Sequence, residues 1–280
     1  MFVAQLRNEL LKLFARKRTY IGFGAFLFVQ VAILLLLQLP KAKRAFQQLL
    51  ESNGYGFEEY YSGLTLGLLI ILFTVGMLGA LYLALVSGDV VAKEVEEGTM
   101  RMILSRPVSR LRVLTVKFLA CAIYSFVLLA FIGMTSLLAG VIYRGGLGKL
   151  FVYAPHEQLF ALFDTREGLW RFVRGVGFMG ISLQVVSTLA FMFSCFQMKP
   201  AAATILSLSV LFVDLVLRNI PYFAGFQQWF ITYHTACWVR TFNDIVPWWS
   251  IVQSLIYLGA LNLTFLVVGA MSFCSRDFKA

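Results

Sequence analysis

Charged residues are scarce in this chain: Asp, Glu, Lys and Arg fill 14% of its 280 positions, where soluble domains carry about a quarter. With 60% hydrophobic residues and a mean hydropathy of +0.80, that scarcity excludes an ordinary soluble domain and makes this an integral membrane protein. Histidine occurs only at His156 and His234, far apart and with no Cys-x-x-Cys or His-x-x-x-His nearby, so no metal site is expected. Cys121, Cys195 and Cys274 fall in or beside apolar runs and Cys237 stands alone, so no intramolecular disulfide is expected. No Pro/Gly/Ser-rich linker divides the sequence and no internal repeat is evident. It reads as a single transmembrane unit over residues 1–280.

A bilayer core about 30 Å thick takes roughly 20 apolar residues per helix, because each backbone N–H and C=O must pair within its own segment. Six stretches qualify: Tyr20–Leu39, Leu64–Val86, Phe118–Ile142, Val176–Gln197, Ala202–Ile220 and Ile251–Phe273. The expected fold is therefore an all-α bundle of six transmembrane helices. No cleavable signal peptide is expected at the start, because Arg7, Glu9, Lys12 and Arg16 to Arg18 precede the first apolar run and no small-residue cleavage pattern follows it.

With six spans both termini share a side, and that side carries 14 of the 24 Lys and Arg. The positive-inside rule then puts both ends, and the segment between spans 2 and 3, in the cytoplasm of a bacterial-type inner membrane. All five Trp fall in the opposite, external segments, where amphipathic rings favour the headgroup level. The net charge of +10 reads as attraction to anionic membrane lipid rather than to nucleic acid. The external stretch Pro221–Ser250 is long and aromatic, compatible with a re-entrant helical hairpin.

Two segments are amphipathic. In residues 1–19, Val3, Leu6, Leu10 and Leu13–Phe14 recur at helical spacing with Arg7, Glu9, Lys12 and Arg16 on other faces, which predicts an interfacial helix turning into span 1; a positive anchor fixing topology explains the same charges. In the polar run Gly88–Lys117, Val90, Val91, Val95, Met100, Ile103 and Leu104 predict a surface helix broken at Gly98. Lys93, Glu94, Glu96, Glu97 and Arg101 are left solvated or free for a partner. Arg106–Pro107 ends that helix and Ser109 caps the next. A generic charged loop would share this periodicity.

The run GDVVAKEVEEGTMRMILSRPVSRLRVLTVK resembles the cytoplasmic loop of type-2 ABC exporter permeases, through Glu94 or Glu96–Glu97, Gly98–Thr99, Met102–Leu104, Pro107, Arg110 and Lys117. LRNELLKLFARKRTY resembles that family's N-terminal elbow helix, and FCSRDFKA its exit from span 6. The resemblance implies a permease half: a second copy or related chain beside it, and two cytoplasmic ABC ATPase subunits docked on a coupling helix. Lys93, Glu94, Glu96, Glu97, Gly98, Thr99, Arg101, Arg106, Pro107 and Arg110 would form the coupling interface. ATP and Mg would be bound by the partner ATPase, no cofactor by this chain, and the chain would not itself be an enzyme. Gly145-Gly146-Leu147-Gly148-Lys149 is not a phosphate loop, since that spacing needs Gly where Tyr143 stands and Ser or Thr in place of Leu150. Some relatives pass ATPase motion to an extracellular partner instead of exporting cargo, which the large external segments leave open.

A protease reading competes. Glu96-Glu97-x-x-x-Arg101 and Phe230-x-x-x-His234 match two signatures of intramembrane prenyl-protein proteases, whose water-activating Glu and His must meet. The expected topology puts them on opposite faces. Asp214 and Arg218 stand one helical turn apart in span 5, either as a structural intrahelical pair or as a polar site on a cargo path.

Overall fold

The computed structural model describes residues 2–105, 108–154 and 159–275, excepting the side chains of Arg101 and Leu104. Arg106, Pro107, His156 and the tail beginning at Arg276 lie outside the described residues.

Among those residues, six helices are long and apolar enough to cross a membrane, and the protein is multi-pass. Helix α1 (Phe2–Ala15) precedes span 1, α2 (Lys17–Leu37), with an extended residue, Arg16, between them. Helices α3 (Pro40–Glu51) and α4 (Phe57–Tyr60) follow. The second span runs from Gly63 to Glu96 as α5 (Gly63–Thr74), a π-helical turn at Val75–Gly79 and α6 (Ala80–Glu96). After α7 (Thr99–Leu104) come the third span, α8 (Arg110–Arg144), and a hairpin of β1 (Leu150–Ala154) and β2 (Leu159–Phe163). The last three spans are α9 (Thr165–Ser194), α10 (Pro200–Asn219) and α12 (Trp248–Ser275). Between α10 and α12 lie a 3₁₀ stretch (Pro221–Trp229), α11 (Ile231–Thr235) and a second 3₁₀ stretch (Ala236–Phe242).

Helix α9 is the axis of the bundle. Of its most apolar stretch 67% is buried, against 17% for α10 and α12 and 22% for α2, whose remaining apolar surface is free to face lipid. Small residues set the closest crossing. A Cβ built on Gly140 of α8 would overlap the Gly63 carbonyl oxygen of α5 and lie 2.9 Å from Gly67 N, so the two backbones touch directly, as small residues permit in membranes.

The helical bundle expected from the sequence is observed, with one small addition, and three other expectations need correction. The addition is a hairpin: β1 and β2 pair antiparallel, Val152 opposite Ala161. Leu150, Val152, Ala161 and Phe163 bury one face in the main core, while Phe151 joins Leu50 and Tyr60 in a second cluster. Both faces are covered, so the strands are short apolar runs that periodicity cannot distinguish from helix. Span 2 does not stop at Val86, because Asp89 and Glu94, which argue for a surface segment, are buried among partners from other helices. Span 4 starts at Thr165 rather than Val176. There Arg171 is buried, bonding Glu167 Oε1 at 2.6 Å and the carbonyls of Thr241, Asn243 and Asp244. The stretch 221–250 is no helical hairpin but 3₁₀ turns around one turn of α-helix, packed on α9, α10 and α12.

Candidate functional site

The polar run 88–117 forms one end of the bundle together with α1. Helix α6 ends at Glu96 and is capped by Glu97, whose N–H donates to the Lys93 carbonyl at 2.9 Å. Gly98 follows at φ +72°, a left-handed conformation that costs a side-chain-bearing residue roughly 1–2 kcal/mol. Thr99 Oγ1 then donates back to the Glu94 carbonyl at 3.2 Å, and α7 begins. Ser105 Oγ donates to the Met102 carbonyl. Ser109 is extended and its Oγ accepts the Arg112 N–H at 3.4 Å, capping α8. The break at Gly98 and the cap at Ser109 thus stand where the sequence puts them.

The charges arrange themselves differently. Lys93, Glu94, Glu96, Glu97 and Arg101 were expected to be solvated or free for a partner, but Glu94 turns inward and is 5% exposed. Its carboxylate lies 2.7 Å from Lys117 Nζ of α8 and 3.6 Å from Lys12 Nζ of α1. Lys117, 1% exposed, also meets Glu9 of α1 at 3.0 Å, and Glu9 meets Lys12 at 2.8 Å. Two carboxylates and two ammonium groups make a neutral knot joining three helices. Burial alone would raise the Glu9 carboxyl; the Lys117 ammonium and hydrogen bonds from Lys12 and Lys117 outweigh it and hold that carboxyl below its ordinary value. Burial would likewise lower Lys12, but its hydrogen bond to Glu9 and the charges of Glu9 and Glu94 hold its ammonium above the ordinary range.

Neighbouring contacts extend the junction. Arg18 of α2 pairs with the buried Asp89, Arg112 Nε donates to Gln5 Oε1 at 3.0 Å, and Arg110 donates to the Cys274 carbonyl at the end of α12 at 2.8 Å. Leu6, Leu10, Leu13 and Phe14 seat α1 on the core, whereas Val3, expected on that face, is exposed. Glu96, Glu97, Met102 and Ser105 point outward, with Lys93 3.7 Å from Glu97. A cavity of about 450 Å³ between α1 and α7 is lined by Glu9, Lys12, Thr99, Met102, Ile103 and Lys117, among others.

Of the expected coupling residues, Lys93, Glu94, Glu96, Glu97, Gly98, Thr99 and Arg110 therefore share one end of the molecule. Arg106 and Pro107 are outside the described residues, as is the Arg101 side chain. Glu9 and Lys12 were overlooked as site residues. The available signal was Glu9 as the lone acid among the first nineteen residues, facing a Lys117 set in the apolar run VLTVKFLACA.

Asp214 and Arg218 do not pair with each other. Asp214 accepts the N–H groups of Ile231 at 2.9 Å and Thr232 at 2.8 Å, and Arg218 donates to the Thr232 carbonyl at 2.9 Å. Both grip the start of α11, a backbone role that neither expected reading contains. His234 Nε2 lies 2.8 Å from the Gln228 carbonyl and its ring stacks on Tyr257 at 4.2 Å. Glu97 is remote from it. Gly88 of α6 touches Thr204, while Asp214, ten residues and about 15 Å further along α10, touches Thr232 beside His234.

No curated protein matches the chain. Residues 26–279 match a family described as a protein of unknown function, DUF2705. That match runs from within α2 to the far end of the chain, and the chain accordingly belongs to the DUF2705 family.

Proposed function

We propose that this chain is the transmembrane permease subunit of an ABC-type exporter, with α7 as its coupling helix, α1 as its elbow helix and ATP hydrolysed by separate cytoplasmic subunits. The supporting observation is the knot of Glu9, Lys12, Glu94 and Lys117. A push on a short surface helix moves a bundle only if that helix cannot yield alone. Here the hinge residue Gly98 lies four positions past a carboxylate held by α8 and α1, so a load on α7 reaches span 2, span 3 and α1 together. Switching needs a partner that contacts two states differently, and the exposed Glu96, Glu97 and Met102 offer it charge and an apolar side chain. A second permease copy would complete the cargo path in an inner membrane with both termini cytoplasmic.

The test is a search of the neighbouring genes for an ABC ATPase, followed by its purification together with this chain. The expected result is a stable complex in which Glu96→Lys with Glu97→Lys abolishes ATP-dependent transport while all spans stay folded. Labelling that places Glu97 on the external face would overturn the proposal.

A second reading keeps the fold and replaces bulk export with transmission of ATPase motion to an extracellular partner. It is favoured by the folded cap of α3, α4 and the hairpin, which has its own apolar cluster around Leu50, Tyr60 and Phe151. Vesicles that hydrolyse ATP without moving any cargo would select it. The protease reading lacks support from the geometry, since about 15 Å of α10 separates the contact of α6 at Thr204 from that of α11 at Asp214, far beyond the hydrogen-bond reach a Glu/His pair needs.

A further inference from the structure

At the end of the bundle opposite α1, a cavity of about 280 Å³ lies between α3, α5, β1 and the 3₁₀ stretch 236–242, walled by Phe46, Leu72, Phe151, Trp238 and Phe242 among others. Its lining side chains offer hydrogen-bonding groups only at Tyr153 and Trp238. A water-soluble ligand would therefore lose its hydration and gain few polar contacts. On α5 the wall runs from Leu68 to Phe73, five to ten residues past the helix start at Gly63, or about 7–15 Å along the span. That is the depth of one hydrocarbon leaflet. Phe73 and Tyr153 are half-exposed, so the slot opens sideways, in the direction from which a membrane component enters.

The helix over the mouth is amphipathic. Ala42, Ala45, Phe46 and Leu49 of α3 line the slot, while Lys41, Arg44, Gln47 and Gln48 are exposed. Lys41 stands one turn from Ala45 and so borders the slot-facing side of α3, while Arg44 lies about 150° round the helix from the centre of that side. Among the described residues no carboxylate pairs with Lys41, Lys43 or Arg44. The acids at this end are engaged elsewhere: Glu51 by Gln47, Glu58 by Arg144, Glu59 by Lys149. Lys43 sits over the Tyr61 ring at 5.8 Å, leaving Lys41 at the rim to face an anion.

We propose that this slot holds the acyl chain of an anionic membrane lipid whose phosphate headgroup is bound by Lys41. The amphiphile satisfies both halves at once: its chain fills an apolar groove at leaflet depth, and its charge meets the rim, as basic amphipathic helices do at anionic surfaces. This site is independent of the coupling reading and stands or falls without it.

The test uses the full chain purified in detergent after incubation with mixed phosphatidylglycerol and phosphatidylcholine, with retained lipid measured by native mass spectrometry. Phosphatidylglycerol should be retained preferentially. Lys41→Gln should lower that preference roughly fivefold and Arg44→Gln, on the outward face, should not; both are exposed changes that leave the fold alone. Ala45→Trp, which fills the slot, should abolish retention of either lipid, whereas Gln47→Trp on the exposed face should not. Glycerol phosphate, which has the headgroup without the chain, should fail to displace the lipid. Equal retention of both lipids, retention unaffected by Ala45→Trp, displacement by glycerol phosphate, or a second copy of the chain covering the slot would each overturn the proposal.

Discussion

Lys117 Nζ lies 2.7 Å from a Glu94 carboxylate oxygen with both side chains almost wholly buried, and this pair anchors the junction of α1, α6 and α8. Removing one member of such a pair leaves a charge out of water without compensation, at a cost of about 3–5 kcal/mol. Lys117→Met should therefore lower the thermal unfolding midpoint in detergent strongly. Adding Glu94→Gln should recover most of the loss, because the one unbalanced charge goes with it while Glu9 keeps Lys12 paired. A double variant no more stable than Lys117→Met alone would mean that the charges are not what holds the three helices.

The same knot sets a pH response. Glu9 holds its proton less tightly in the folded state than when exposed, so the unfolded chain binds more protons between the folded pKa and the ordinary 4.5. Its stabilisation is complete above that ordinary value and is lost as pH falls through the folded pKa below it. Glu9→Gln should be less stable than the native chain at neutral pH, and the gap should close on acidification through the folded pKa, below the ordinary 4.5. Unfolding midpoints measured across that range check it; a constant gap would remove Glu9 from the linkage.

How much of this was legible depends on whether the signal was local. Apolar run length gave the six spans, Gly98 carried its own backbone demand, and Ser109 announced a cap three residues ahead of the N–H it accepts. The misread segments are those whose polar groups find partners far away in the chain. Asp89 meets Arg18, Glu94 meets Lys117 and Lys12, and Arg171 meets carbonyls some seventy residues on, so each looks solvated in isolation and is buried in the fold. The hairpin escaped because both its faces are apolar, which erases the alternation that marks a half-buried strand. For the site, the outward Glu96 and Glu97 could be read directly, while α1's share in it required the fold.

Asp214 supplies both acceptors for the first N–H groups of α11, which no upstream turn of that helix can satisfy. Asp214→Ala strands two partly buried donors, each worth about 1–3 kcal/mol, whereas Asp214→Asn keeps one acceptor and should lose about half as much. Hydrogen exchange at Ile231 and Thr232 reads this directly. Faster exchange confined to those two amides is expected; protection unchanged in Asp214→Ala would show that α11 is held by its packing alone.

The crossing of α5 and α8 tolerates no side chain at Gly140, where the opposing atoms are the backbone at Gly63 and Gly67 and cannot rotate away. Even Gly140→Ala forces the two helices apart, and overpacking of this kind costs about 1–3 kcal/mol. Gly24, by contrast, faces open space on α2 with nothing within 4 Å of a Cβ. Gly24→Ala should change stability by no more than about 1 kcal/mol, in the stabilising direction that helix propensity favours. Because Ser62, one residue before the crossing, bonds the Lys149 carbonyl, and Leu64 N bonds the Leu147 carbonyl at 2.9 Å, separation of α5 from α8 should also loosen the hairpin that follows α8. The pair of variants is therefore read twice, by unfolding midpoint and by hydrogen exchange in β1. A Gly140→Ala protein as stable as the native chain, with β1 equally protected, would show that the helices can part without cost.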